Sequence, residues 1–198
     1  MKRSELARLV AERLRPDDLV VCGLGATEAA MRSVAPRCPV YYASDPMGVW
    51  SSVALGLALA QPKRRVLLAA GDGDLLMSLQ SLATIAAAAP PNLRIVVFQN
   101  GAYSSTGGQP LVSAGALSFA GVASAVGFAH AVEVATVGDA ATALAELDAQ
   151  VGPALLAVRL EDEPCPAAPA GPLAQVEERT LFMQAVAALD ASTPAGRT

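Results

Sequence analysis

Two runs in the chain, Val66-Leu67-Leu68-Ala69-Ala70 and Ile95-Val96-Val97-Phe98, are apolar at every position. A strand with one face in water alternates apolar and polar side chains, so an unbroken apolar strand needs cover on both faces. Parallel sheets sandwiched between helices meet that condition, and Ala-rich segments of helical length separate the apolar runs, as parallel crossovers require. The pattern predicts strands at Leu19 to Gly23, Val40 to Tyr42, Val66 to Ala70, Ile95 to Phe98, Ala131 to Val134 and Ala154 to Leu160. It predicts helices at Ser4 to Leu14, Thr27 to Val34, Trp50 to Ala60, Leu75 to Ala88, Ser118 to Val126, Asp139 to Ala149 and Gln175 to Leu189. The expected fold is α/β: a doubly wound, mainly parallel six-stranded sheet with helices on both faces.

The 198 residues are 53% hydrophobic and 16% charged, which suits one domain with a sizeable core. Lys and Arg number 14 against 18 Asp and Glu, so no basic footprint for a phosphate backbone exists and nucleic acid is not an expected partner. Ile95 to Val132 holds no charged residue, and its second half is long enough to weigh as a membrane span. Its repeated Gly and Ser favour buried core or a subunit interface, so no membrane is expected. The three cysteines, Cys22, Cys38 and Cys165, lack the spacing of a disulfide framework or zinc site. With no secretory pattern in the amphipathic segment Met1 to Arg15, the expected location is cytoplasmic. Residues 1–162 form the expected domain. Residues 163–174 read as a linker, with four prolines between Glu163 and Pro172, and residues 175–198 as a terminal helix and tail. Whether that helix packs on its own domain or on a neighbour stays open.

Ligands of open α/β sheets gather beyond the carboxyl ends of the strands. After the third predicted strand comes Gly71-Asp72-Gly73-Asp74, followed by a helix. Glycines let the backbone turn tightly and approach a ligand, and helix-start N–H groups favour a phosphate. After the fourth strand comes Gln99-Asn100-Gly101-Ala102-Tyr103, then Ser104-Ser105-Thr106-Gly107-Gly108-Gln109. An aspartate at one strand end and an asparagine at the next can both offer oxygen to a hard cation that a diphosphate also ligates. Other features read as structural. Gly23-Leu24-Gly25 has Glu28 where a dinucleotide fingerprint needs its third glycine, so it is a tight turn, with Glu28 a first-turn helix residue. His130 has no partner in sequence, and Trp50, Tyr41 and Tyr42 suit core or interface. Met77 falls with the rest of Leu75 to Ala88 on a buried helix face, and Ser104 and Ser105 lack a neighbouring base for nucleophilic work.

Gly71-Asp72-Gly73, a gap of about two dozen residues and Gln99-Asn100 resemble the signature of the diphosphate-binding (PP) domain of thiamine diphosphate (ThDP) enzymes. The resemblance extends to Met47-Gly48 and to Tyr103 through Gln109, over about Arg15 to Leu160. It implies Mg²⁺ and ThDP as cofactors, with Asp72, Asn100 and the Ala102 carbonyl as metal ligands. It implies cofactor contacts at Ser44, Asp45, Met47, Gly48, Gly71, Gly73, Asp74, Asn100, Ala102, Tyr103 and Ser104, with Ser105 and Thr106 near substrate. Met47 would prop the cofactor in its bent shape, and Ser44 to Pro46 would lie against cofactor or phosphate. Two departures stand out: Gln99 replaces the first Asn of the signature, and Asp74 puts a carboxylate where small residues are frequent.

Enzymes of this kind need a glutamate from a pyrimidine-binding (PYR) domain, and the chain has no room for one. The resemblance therefore implies no catalytic residue here and a separate PYR subunit, in a hetero-oligomer of α₂β₂ form or larger. The run Asn100 to Pro110 and the chain length are most similar to the sulfopyruvate decarboxylase β subunit and the matching half of phosphonopyruvate decarboxylase. The implied activity is decarboxylation of a small 2-oxo acid bearing an anionic group. A split carboligase of the acetolactate synthase kind and a non-catalytic ThDP-binding partner stay open beside it.

Overall fold

The computed structural model describes residues 1–42, 46–112, 114–161, 163 and 175–192. In chain order the elements are α1 (Arg3–Arg13), β1 (Leu19–Cys22), α2 (Ala26–Ser33), β2 (Val40–Tyr42), α3 (Trp50–Ala60), β3 (Val66–Gly71), α4 (Asp72–Met77), α5 (Ser81–Ala88) and β4 (Leu93–Gln99). There follow β5 (Ala102–Tyr103), a 3₁₀ turn at Ser104–Thr106, β6 (Gln109–Pro110), α6 (Phe119–Ala125), β7 (His130–Val134), α7 (Val137–Ala149), β8 (Ala154–Arg159) and α8 (Gln175–Ser192). Six strands form one sheet in the order β2-β1-β3-β4-β8-β7, parallel throughout. The two-residue strands β5 and β6 pair separately as an antiparallel hairpin.

Cover on both faces is what the apolar strands demanded. On one face Val21, Leu68, Ile95 and Val97 pack with Trp50 and Ala54 of α3, Leu75 of α4, Leu82 and Ile85 of α5 and Phe119 of α6. On the other, Val20, Leu67, Val96 and Phe98 pack with Leu6 and Val10 of α1, Met31 of α2 and Leu144 and Leu147 of α7. Alternate side chains of one strand thus enter opposite cores, and each fully buried Val, Leu or Ile contributes about 1.5–3 kcal/mol. The chain leaves β1 for β2 on one side and returns to β3 on the other. A crevice therefore opens where β1 and β3 end, the place at which such sheets bind ligands.

Two expectations are corrected here. The predicted helix Leu75 to Ala88 is two helices, α4 and α5, separated at residues 78–80. Ser78 adopts φ −131°, and the buried hydroxyls of Ser78, Ser51 and Ser81 form a chain with O···O distances of 3.1 and 2.8 Å. Serine side chains bonded to one another across two elements stabilise a turn that propensity alone would not choose. Met77, ending α4, is consequently 58% exposed rather than buried. The terminal helix α8 packs on the β2 edge of this same unit. Its Phe182 ring lies 5.6 Å from that of Tyr41, Glu178 pairs with Arg32 of α2 at 2.6 Å, and Asp190 pairs with Arg64 at 3.1 Å. No described helix is long and apolar enough to cross a membrane.

Candidate active-site cleft

At the carboxyl ends of β1, β3 and β4 one cleft is lined by Leu24, Ala26, Thr27, Met47, Gly71 to Asp74, Phe98, Asn100, Ala102 and Tyr103 to Thr106, with Arg3 entering from α1. The sequence-predicted site residues from Met47 onward thus meet in one place. Gly48 stands behind the lining, and Ser44 and Asp45 lie outside the described residues.

The cleft is built around Asp72, which is 1% exposed at the first position of α4. Its Oδ1 accepts from the Gly73 N–H at 2.9 Å and its Oδ2 from the Gly101 N–H at 2.6 Å, so one carboxylate ties the β3 end to the β4 end. Burial nevertheless pushes its pKa up to about 6, against the lowering effect of those N–H groups. A carboxylate destabilised by desolvation in this way is improved by an adjacent cation.

Asn100 supplies the second half of the arrangement. One end of its amide lies 3.0 Å from Asp72 Oδ1 and 3.1 Å from the Ala102 carbonyl oxygen, while the other lies 2.6 Å from Ser104 Oγ. With Nδ2 at the inner end, the amide donates to both oxygens and accepts from the Ser104 hydroxyl. With Oδ1 at the inner end, three oxygens converge with nothing between them, and only a cation relieves their repulsion. Adjacent ligands of an octahedral ion with bonds of about 2.1 Å stand about 3 Å apart, so the spacing suits Mg²⁺. The residues present therefore fit a small hard cation.

Asp74 answers the question its sequence position raised. Its Oδ1 accepts from the Gly48 N–H at 2.5 Å, and its Oδ2 lies 3.1 Å from where a Cβ on Gly23 would stand. The carboxylate is 6% exposed, and burial raises its pKa against the lowering effect of the Gly48 bond. It thus pins the Met47–Gly48 loop to α4 and brings Met47 to the cleft.

The hairpin β5–β6 and its 3₁₀ turn close over the cleft by contacts that only glycine permits. A Cβ on Gly73 would stand 2.7 Å from the Tyr103 ring. Gly25, at φ +73°, would direct a Cβ to within 1.9 Å of Ser105 Oγ. The segment Gly23-Leu24-Gly25 is the tight turn expected, yet Leu24, Ala26 and Thr27 after it line the cleft, which the absence of a full fingerprint concealed. Arg3 was also missed, because nothing in sequence connects it to residues around position 100.

The residues read as structural keep to that reading. Glu28 pairs with Arg32 one turn on at 2.8 Å. Trp50 is buried edge-on to Tyr41, and Arg32 stacks 3.8 Å over the Tyr42 ring. His130 opens β7 beside Ala154, at the opposite end of the sheet from the cleft. Cys22 and Cys38 are free and buried, whereas Cys165 lies outside the described residues.

An open parallel sheet with a glycine-lined cleft at its switch point places the chain in the doubly wound α/β class, whose ligands bind at that position. The particular family follows from comparison: the model described as "Thiamine pyrophosphate enzyme, C-terminal TPP binding domain" matches residues 23–158, and the chain belongs to that family. A phosphonopyruvate decarboxylase of Streptomyces hygroscopicus is 40% identical over 151 residues, 76% of this chain and 37% of that protein. The sulfopyruvate decarboxylase subunit beta of Methanothermobacter thermautotrophicus is 41% identical over 112 residues, 57% of this chain and 60% of that protein. The chain thus spans only part of the length of these relatives. Among solved structures, benzoylformate decarboxylase of Polynucleobacter necessarius superposes with a TM-score of 0.71 at 23% identity, over 84% of this chain and 34% of that one, which shows the shared fold.

Proposed function

We propose that the chain is the diphosphate- and Mg²⁺-binding subunit of a two-component, ThDP-dependent 2-oxo acid decarboxylase whose active site a separate PYR subunit completes. The observation that carries this reading is the convergence of Asp72, Asn100 and the Ala102 carbonyl at spacings of 3.0 and 3.1 Å. In the proposal these three oxygens hold Mg²⁺, and residues 1–162 make up the cofactor-binding unit. Thiamine diphosphate, when bound, supplies the electron sink that lets a 2-oxo acid lose CO₂.

The chain's own residues position and desolvate. The Asp74 N–H faces the diphosphate, Gly73, whose own N–H is held by Asp72, lets the backbone approach it, Met47 props the cofactor, and Asp74 fixes the Met47 loop through Gly48. Tyr103, packed on Gly73, together with Ser104 closes the cofactor cleft, while Ser105 and Thr106 on the closing turn face the substrate. The names of the relatives support a substrate that carries a phosphonate or sulfonate beside its 2-oxo acid, and the word "subunit" in one of them supports a partner chain. The α₂β₂ stoichiometry and a cytoplasmic location belong to the same proposal.

The test is reconstitution with a PYR-type subunit encoded in the same genome, with CO₂ release measured from phosphonopyruvate, sulfopyruvate and pyruvate in the presence of ThDP and Mg²⁺. Decarboxylation that needs both subunits and favours an anionic substrate is expected. Carboligation products without net aldehyde, or no turnover by an assembled complex, would overturn the reading.

A further inference from the structure

One side chain in the cleft has a charge that no anionic side chain among the described residues answers. Arg3, at the start of α1, is 4% exposed, yet among the described residues its guanidinium has only a long contact, 3.5 Å, to the Glu163 carbonyl oxygen. The Glu163 carboxylate is engaged elsewhere, accepting from the Arg3 backbone N–H at 3.0 Å. A buried guanidinium without an anion is costly, and it persists where an anionic ligand completes it. Arg3 is also the only cationic side chain among the described residues lining the cleft.

The charge balance identifies that ligand. Asp72 and Asp74 together bring two negative charges to the cleft, which one Mg²⁺ offsets. A bound diphosphate would then be left with its own charge uncompensated. Asp74 adds to the negative charge of the cleft, and Arg3 offsets one unit of it. Because Arg3 is buried in the first turn of α1 and lines the same cleft as Asp72 and Asn100, it sits inside the subunit rather than on a surface that a second chain must cover.

We propose, resting on the functional reading above, that Arg3 binds the terminal phosphate of the cofactor diphosphate and so sets the preference of this subunit for the diphosphate over the monophosphate ester. A guanidinium offers paired N–H donors to a phosphate that a backbone cradle cannot match.

The experiment is calorimetric titration of ThDP, thiamine monophosphate and inorganic pyrophosphate, each with Mg²⁺, into the complex of the PYR-type subunit with the wild-type chain, with Arg3→Gln or with Arg3→Lys. Arg3→Gln should weaken ThDP and pyrophosphate by about tenfold or more and thiamine monophosphate by less than about threefold, with Arg3→Lys recovering part of the loss. Equal weakening of ThDP and the monophosphate, or unchanged ThDP binding, would overturn the proposal. So would unchanged cofactor affinity with a raised KM for the anionic 2-oxo acid in the reconstituted enzyme, because the guanidinium would then serve substrate. If Arg3→Gln does not fold, the ratio of ThDP to monophosphate affinity in Arg3→Lys decides, an unchanged ratio refuting the assignment. A wild-type complex that binds no ThDP removes the functional reading as well, whereas wild-type binding with an indifferent Arg3→Gln removes this inference alone.

Discussion

Replacing Asp72 by Asn tests the electrostatics on which the cleft is built. Burial lifts this carboxyl from its usual 3.8 to about 6, so the folded, metal-free chain holds the proton more tightly than the unfolded chain does. A folded-state pKa above the unfolded one contributes stability that is present at low pH and lost as pH rises through that interval. A shift of about two units at about 1.36 kcal/mol each gives a loss of about 3 kcal/mol, of which about 2 kcal/mol falls between about pH 4.5 and pH 7.5. The amide variant is uncharged throughout and has no such dependence, although it forfeits one of the two N–H bonds, from Gly73 or Gly101, at all pH values. Urea denaturation of both proteins without metal should therefore show wild type losing about 2 kcal/mol relative to the variant across that pH range. Saturating Mg²⁺ and ThDP should restore about 3 kcal/mol to wild type at a hundred times Kd and nothing to the variant. Parallel pH profiles, or a wild type that gains relative stability with rising pH, would refute the reasoning.

Other substitutions probe separate parts of the arrangement. Asn100→Asp places a second carboxylate about 3 Å from Asp72. Its melting temperature should fall in chelator and rise with Mg²⁺ alone more than that of wild type does; an unresponsive variant would contradict the cation site. Gly25→Ala meets both a positive φ and the Ser105 hydroxyl, so urea denaturation should show a loss of about 1–3 kcal/mol. Adding Ser105→Gly should recover only the steric part of that loss, and full recovery would deny the backbone strain. Arg32→Met leaves Glu178, 7% exposed, without its cation. The chain should lose about 3 kcal/mol near neutral pH, and an unchanged stability would mean that α8 is not held by this pair.

The sheet was legible because its signal is local and redundant. Continuous Val, Leu and Ile runs can be buried on both faces as the inner strands of a parallel sheet, and β1, β3, β4 and β8 fall where those runs lie. The principal cleft residues were legible for a related reason: Asp72 and Asn100 each follow a buried strand, and parallel neighbours bring such positions together. What escaped was decided by contacts between distant parts of the chain. The break between α4 and α5 depends on a hydroxyl of α3, Ser51, reaching Ser78 and Ser81. The tether from Asp74 to Gly48 spans 26 positions, and the return of α8 to the β2 edge joins Glu178 to a residue 146 positions earlier. Arg3 reaches the cleft only because α1 lies across the same face as α2, with its first turn at the carboxyl ends of the strands. No periodicity in sequence encodes such a meeting.

The central claim is that three oxygens, from Asp72, Asn100 and the Ala102 carbonyl, hold the cation through which this subunit takes up a diphosphate cofactor. Its most direct test is calorimetric titration of ThDP into the purified chain with Mg²⁺, with chelator, and with Mg²⁺ after Asp72→Ala, each alone and after mixing with the PYR-type subunit. The account predicts binding that requires Mg²⁺, strengthens with the partner and vanishes in Asp72→Ala. Equal ThDP affinity with and without Mg²⁺, or full affinity in Asp72→Ala, would contradict it.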